Sequence, residues 1–193
     1  MKKKTANLIM VLIIAAIVIA GVAVAFTLKA DTGDGLGSQY KIQKIQENAL
    51  IEPGQEDNIC TITIVCDTIL DNTKNLNEEK APFVPKDGTI LPKTQVSFSE
   101  GDTVFEVLNK VCEAAGIQIE YSYTPMYESY YIEGINHLYE FDVGPESGWV
   151  YKVNEWFPNY GCSSYYLHDG DTIVWCYTCE GLGTDVGADE WMG

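Results

Sequence analysis

Arginine is absent from the 193 residues, and histidine occurs only twice, as His137 and His168. All 12 basic residues are lysines, four of which precede Asp31, whereas all 28 acidic residues lie at or after it. From Asp31 onward, eight lysines therefore face 28 carboxylates, a formal charge of −20. Nucleic acid and anionic membrane surfaces are excluded as partners of that part, because both require a basic patch to displace counterions. The histidines are far apart in sequence and lack metal-ligand spacing. A G-x-S-x-G nucleophile elbow is missing too, and carboxylates are so abundant that no pair stands out. These absences lead us to expect neither an enzyme nor a required cofactor. Internal repeats are also lacking.

What is present begins with Lys2, Lys3 and Lys4, followed by an apolar run from Leu8 to Phe26 without a charge or a proline. Such a run is long enough to cross a hydrocarbon core as a helix with the lysines on the cytoplasmic side. Residues 1–30 are thus expected to be a signal anchor or a signal peptide, and the rest extracytoplasmic, at the cell membrane or secreted. The length favours a retained span, while Ala23-Val24-Ala25 has the small-x-small form that signal peptidase accepts. Residues 31–58, Gly-rich and then polar and acidic, read as a flexible tether with a short helical stretch around Tyr40 to Leu50. Residues 59–186 are expected to form one domain, and 187–193 a tail.

Six cysteines, Cys60, Cys66, Cys112, Cys162, Cys176 and Cys179, are an even set in a chain read as exported, which favours disulfides over metal thiolates. A Cys60–Cys66 pairing is excluded if both lie on one extended strand, whose ends would be about 20 Å apart. Cys176-Tyr-Thr-Cys179 has redox-pair spacing but sits at a strand end, not at a helix N-terminus.

Cys60 to Cys66 alternates Cys/Ile with Thr and predicts a half-buried strand. Residues 67–93 contain Pro82, Pro85 and Pro92 and read as a crossover with little regular structure. Gln95–Ser99 predicts a strand, and Thr103 with Glu106 forms a capping box that opens a helix. The helix places Val104, Val107, Leu108, Val111, Cys112 and Ala115 on one face and stops at Gly116. Strands are predicted over Ile117–Tyr123, Gly148–Asn154 and Thr172–Thr178, the last after the turn Asp169-Gly170, with an irregular Tyr-rich stretch after Pro125. The expected fold class is α+β, a mixed sheet of four or five strands crossed by one helix.

The strand Cys60–Cys66, the Gly101-Asp-Thr-Val helix start, the segment Ser147-Gly-Trp-Val-Tyr-Lys-Val-Asn154 and the closing Leu167-His-Asp-Gly-Asp-Thr-Ile-Val-Trp175 together resemble the bacterial DUF4430 family. That family resembles in turn the C-terminal β domain of transcobalamin and intrinsic factor, the animal cobalamin carriers. The resemblance spans roughly Cys60 to Asp185 and implies a β-grasp fold of the soluble-ligand-binding type, with cobalamin or another corrinoid as the ligand. Two departures stand out. Relatives show Val-Asn-Gly where this chain has Val153-Asn154-Glu155, which argues against a tight primed turn. The animal carriers also close a large helical domain over the ligand, and these residues contain no counterpart of it.

The densest aromatic cluster runs from Ser147 to Gly161. Trp156, Phe157, Asn159 and Tyr160 lie past a strand end beside Pro158 and are the leading ligand-binding candidates, since flat rings supply contact area with few rotamers. Trp149 and Tyr151 alternate with Val153 as core residues do, yet belong to the same cluster. Tyr130, with Tyr121, Tyr123, Tyr127, Tyr131 and Tyr139, is placed either to line the same groove or to cover the sheet. The side-chain amides Asn136, Asn154 and Asn159 would suit an amide-fringed corrinoid. A surface transporter or wall protein is the expected macromolecular partner. The competing expectation is a cell-surface module that docks protein or glycan through the same aromatic loop.

Overall fold

The computed structural model describes residues 58–181 and 183–188. The apolar run Leu8–Phe26 and most of the expected tether and tail lie outside them. Among the described residues, no helix is long and apolar enough to cross a membrane. The architecture is α+β, with far more strand than helix.

Strand β1 (Asn58–Val65) buries Cys60, Ile62 and Ile64 on one face, as its alternation dictates. It lies at the centre of a four-stranded mixed sheet of order β2-β1-β7-β6. Strand β2 (Thr89–Phe98) is antiparallel to β1, β7 (Thr172–Thr178) is parallel to it, and β6 (Gly148–Val153) is antiparallel to β7. The second strand starts six residues earlier than the sequence suggested and carries Pro92 within it. Its edge position makes this tolerable: a proline lacks only an outward N–H, and the β1–β2 register shifts beside it, between Ile62 and Ile64.

Between Val65 and Thr89, the expected irregular crossover contains a one-turn helix, α1 (Thr68–Asp71), and a 3-10 helix, Glu78–Phe83. The long helix α2 (Val104–Ala115) starts at the anticipated box: Glu106 Oε2 accepts from the Thr103 amide at 2.9 Å and from the Thr103 hydroxyl. It ends at Gly116, whose φ of 67° lets its N–H reach the carbonyls of Cys112 and Glu113. Its apolar face joins Ile62, Ile64, Val96 and Ile173 in one core.

The chain departs from expectation after α2. Strand β3 (Ile119–Thr124) does not join the main sheet but pairs with β4 (Ser129–Ile135), and β4 with β5 (Leu138–Tyr139), as a separate antiparallel sheet. The Tyr-rich stretch is therefore ordered hairpin, not irregular chain. Side chains stitch the two sheets together. Trp149 Nε1 donates to the Leu138 carbonyl at 2.9 Å, and the Tyr177 hydroxyl donates to the Tyr139 carbonyl at 2.7 Å. Phe105 of α2 stacks on Tyr130 of β4, with centroids 4.2 Å apart.

The turn after β6 also corrects its expectation. Asn154 and Glu155 have φ of 52° and 65°, and Val153 and Trp156 exchange both backbone hydrogen bonds, at 2.9 and 3.0 Å. This is a primed two-residue turn with Glu where Gly is usual. It is held from both flanks: the Asn154 side chain bonds to Asp171 and to the Thr172 amide, and Lys152 Nζ lies 2.6 Å from Glu155 Oε2.

The six cysteines are all buried, and the structure shows no disulfide among them. Cys60 and Cys66 lie on and just after β1, Cys112 on α2, and Cys162 after the aromatic loop, with Cys176 and Cys179 at the end of β7. Each packs as a small hydrophobe in the core or at its margin. Burial pushes the thiols of Cys60, Cys66, Cys112, Cys162 and Cys176 up to about 12 and that of Cys179 up to about 11. The C-x-x-C pair thus lacks the lowered thiol that disulfide exchange requires.

Candidate functional site

The two sheets do not close on each other completely. Between them lies a cavity of about 440 Å³. One wall is the β6–β7 side of the main sheet, with Trp149, Val150 and Tyr151 from β6 and Trp175 from β7. Tyr151 and Trp175 are register partners, which sets their rings side by side with centroids 5.3 Å apart. A second wall is the β3–β4 hairpin, contributing Thr124, Tyr127, Tyr130 and Ile132 among others. The third is the loop Phe157-Pro158-Asn159-Tyr160-Gly161 with Cys162.

Each wall has a local cause. The loop is pinned to the sheet by the Tyr151 hydroxyl, which donates to the Tyr160 carbonyl at 2.9 Å. It is pinned to the hairpin by Ser163, whose hydroxyl lies 2.8 Å from that of Ser129 and accepts from the Tyr130 amide at 3.1 Å. Gly161 sits against Ser129 so closely that a Cβ there would meet Ser129 Oγ at 1.9 Å. No lining residue is Asp, Glu, Lys or His. Burial raises the Tyr151 phenol far above its ordinary range; burial and a hydrogen bond to Glu140 do the same for Tyr131. Both therefore remain neutral. One polar atom is unmatched: Trp175 is 2% exposed, and its Nε1 has no hydrogen-bond partner among the described residues.

Six of the eight residues singled out from the sequence line this cavity: Trp149, Tyr151, Tyr130, Phe157, Asn159 and Tyr160. Two do not. Trp156 projects outward, 52% exposed, with its ring 6.1 Å from that of Tyr160. Asn154 is occupied in the turn, and Asn136 donates to the Phe83 carbonyl at 2.8 Å. Of the remaining tyrosines, Tyr127 and Tyr131 line the cavity, Tyr121 and Tyr123 cover the hairpin, and Tyr139 bonds to Glu120. Sequence reasoning passed over Trp175. Its signal was the alternation Ile173, Trp175, Tyr177, which puts it on the same face as Trp149 and Tyr151.

The Asp169-Gly170-Asp171 segment is a turn, as its sequence suggested. Asp169 accepts from the Ile59 amide at 2.8 Å and Asp171 from the His168 amide at 2.8 Å. No cluster of three or more His, Cys, Asp or Glu side chains among the described residues could hold a metal ion.

The class defined by these observations is a two-sheet α+β domain with an uncharged aromatic cavity between its sheets. Within it, residues 101–179 match the family described as Domain of unknown function (DUF4430), so the resemblance to that family holds over this segment. A search of curated proteins finds no match. Among solved structures, a suspected metal binding protein from Ruminococcus gnavus ATCC 29149 is similar at 13% identity and a TM-score of 0.42, over 65% of this chain and 99% of that one. Haptocorrin in complex with Cbi is similar at 15% identity and a TM-score of 0.41, over 65% of this chain but only 26% of the haptocorrin chain.

Proposed function

We propose that this protein is an extracytoplasmic module, tethered through its N-terminal apolar segment or released from it, that binds a small ligand in the cavity between its sheets. The observation that carries the reading is the cavity itself, about 440 Å³ and walled by aromatic side chains. Ligand sites have this size and this composition. The strand order β2-β1-β7-β6 with one long helix between β2 and β6 is what the β-grasp expectation requires, and it supports that finer assignment.

Cobalamin or another corrinoid is the leading ligand, on the strength of the family resemblance. So large a molecule would insert an edge and its amide fringe, while the exposed rings of Tyr127, Tyr131 and Tyr160 at the cavity cover more of it. On this reading the protein is a binder, not an enzyme, and a neighbouring transporter would receive the ligand. Equilibrium titration of the full-length chain with cobalamin and with cobinamide tests the reading. Saturable binding supports it, and no binding up to millimolar ligand rules out corrinoids.

A second reading, docking of protein or glycan, is favoured by Trp156, which is half exposed yet stands outside the cavity. If Trp156→Ala leaves capture of cell-surface material unchanged, this second reading is excluded.

A further inference from the structure

We infer that the outer edge of β3 receives an extended, lysine-bearing segment of a partner protein, which joins the β3-β4-β5 sheet as a fourth strand. An edge strand presents a row of unpaired N–H and C=O groups, and proteins ordinarily blunt it with proline, lysine, a bulge, a cover or a short length. The other edges here are blunted. Strand β2 carries Pro92, Lys93 and two register shifts against β1, and β5 is only two residues long. Strand β6 packs beside β4 and is tied to the aromatic loop through the Tyr151 hydroxyl. By contrast, β3 is six residues long, without proline, lysine or glycine, and its one irregularity is the register shift between Glu120 and Tyr121. Residues 120–123 are exposed one after another, so both faces of the strand meet solvent. Outside the ladder with β4, no hydrogen bond reaches the main chain of Tyr121, Ser122 or Tyr123 among the described residues.

The two faces of β3 define what the added strand must carry. On one, Tyr121 and Tyr123 pack edge-on around the Tyr130 ring yet remain 42% and 53% exposed, which leaves ring surface open to apolar side chains of a neighbouring strand. On the other stand Glu120 and Ser122, with Tyr131 opposite Ser122. Glu120 accepts from the Tyr139 hydroxyl and Glu140 from the Tyr131 hydroxyl, each at 2.7 Å, which fixes two carboxylates beside this face and leaves both with lone pairs to offer. Charge then sets the sign of the partner. Between Lys110 and Lys152 the chain has seven carboxylates and no lysine or arginine. Lys80, which lies over the Tyr139 ring, is paired with Asp142 at 3.4 Å. A second copy of this chain would set the same carboxylates edge to edge and is opposed by like charge. A strand that alternates lysine with a β-branched residue satisfies both faces at once, while its main chain completes the open ladder.

The probes are blocked hexapeptides: one alternating lysine with valine, one alternating glutamate with valine, and two forms of the lysine peptide N-methylated on all lysines or on all valines. Each is titrated into the full-length chain in neutral detergent, and amide hydrogen exchange is followed by mass spectrometry. The lysine peptide is expected to bind saturably and to slow exchange across 119–124 while leaving 157–161 unchanged. It should bind about tenfold or more tightly than the glutamate peptide. One methylated form, the one whose lost N–H groups face β3, should bind about tenfold more weakly than its parent, and the other should not. Ser122→Lys, at an exposed position outside the cavity lining, should weaken the lysine peptide about fivefold. Should that variant not fold, the methylated pair decides alone. No slowing across 119–124, equal binding of the glutamate peptide, or equal binding of both methylated forms and their parent would overturn the inference. So would concentration-dependent protection of 119–124 without peptide, together with a dimer in sedimentation, since a second copy would then occupy the edge. Because residues 121–123 do not line the cavity, none of these outcomes bears on the corrinoid titration.

Discussion

The side-chain amide of Asn154 ties the β6 turn to the start of β7, donating to Asp171 Oδ1 at 2.7 Å while its oxygen accepts from the Thr172 amide at 3.0 Å. This anchorage explains how Glu155 occupies a left-handed position with φ of 65° that glycine would take at no steric cost. Glu155→Gly should therefore stabilise the domain by about 1 kcal/mol, since the strain removed exceeds the worth of an exposed ion pair with Lys152. Asn154→Ala should cost about 2 kcal/mol, losing both bonds and adding strain. Denaturant melts check both, and an Asn154→Ala protein as stable as wild type would refute the anchoring role.

Much of the main sheet was legible because each element had one solvent side and one core side. Cys60-Ile62-Ile64, the helical face Val104 to Ala115 and the alternation Trp149-Tyr151-Val153 carry the period of their structure. Strand β4 and its pairing with β3 were not legible in this way. Alternation along Ile119, Tyr121 and Tyr123 predicted β3, whereas β4 runs Tyr130, Tyr131 and Ile132 in succession and has no period to read, and the turn Pro125–Glu128 contains no Gly or Asn. Site residues on the loop could be named from their ring density. Trp175 could not, because its role depends on pairing with Tyr151 across β6 and β7, and register is a property of the assembled sheet.

Gly161 and Ser129 form a close packing pair between loop and hairpin, and the effect of changing one depends on the other. Gly161→Ala should destabilise by about 2 kcal/mol, because the new methyl overlaps Ser129 Oγ and Cβ. Placed in a Ser129→Gly background, which empties that space, the same substitution should cost well under half as much. A double-mutant cycle measures the coupling, and additive effects would show that the two do not share the space.

The raised thiols make stability pH-dependent on the alkaline side. Unfolded, a cysteine ionises near its ordinary value of about 8.5, whereas five of these remain protonated in the fold up to about 12. The folded state then holds more protons than the unfolded one, so the contribution is complete below pH 8 and falls as pH rises towards 12. With thiols reduced, each should remove about 1.4 kcal/mol per pH unit within that window. Denaturant midpoints should hold from pH 7 to 8 and fall progressively from there to pH 10.5, more steeply in wild type than in Cys112→Ala. Equal slopes would count against the burial argument.

Because the lining carries no carboxylate, amine or imidazole, and Cys162 and Tyr151 stay protonated, binding of a neutral ligand should be constant from pH 6 to 8. Cobalamin titrations at three pH values test this. A change of more than threefold would point to a charged group at the binding surface.

The parallel pairing of the first and last strands has a mechanical consequence. Tension applied through Asn58 and Thr178 pulls β1 and β7 in opposite directions along their length, loading the ladder from Thr61↔Thr172 to Val65↔Cys176 in shear. All its hydrogen bonds must then yield together, whereas a hairpin pulled at its open end unzips one rung at a time. A domain wired in this way holds its shape under drag on the chain at either side.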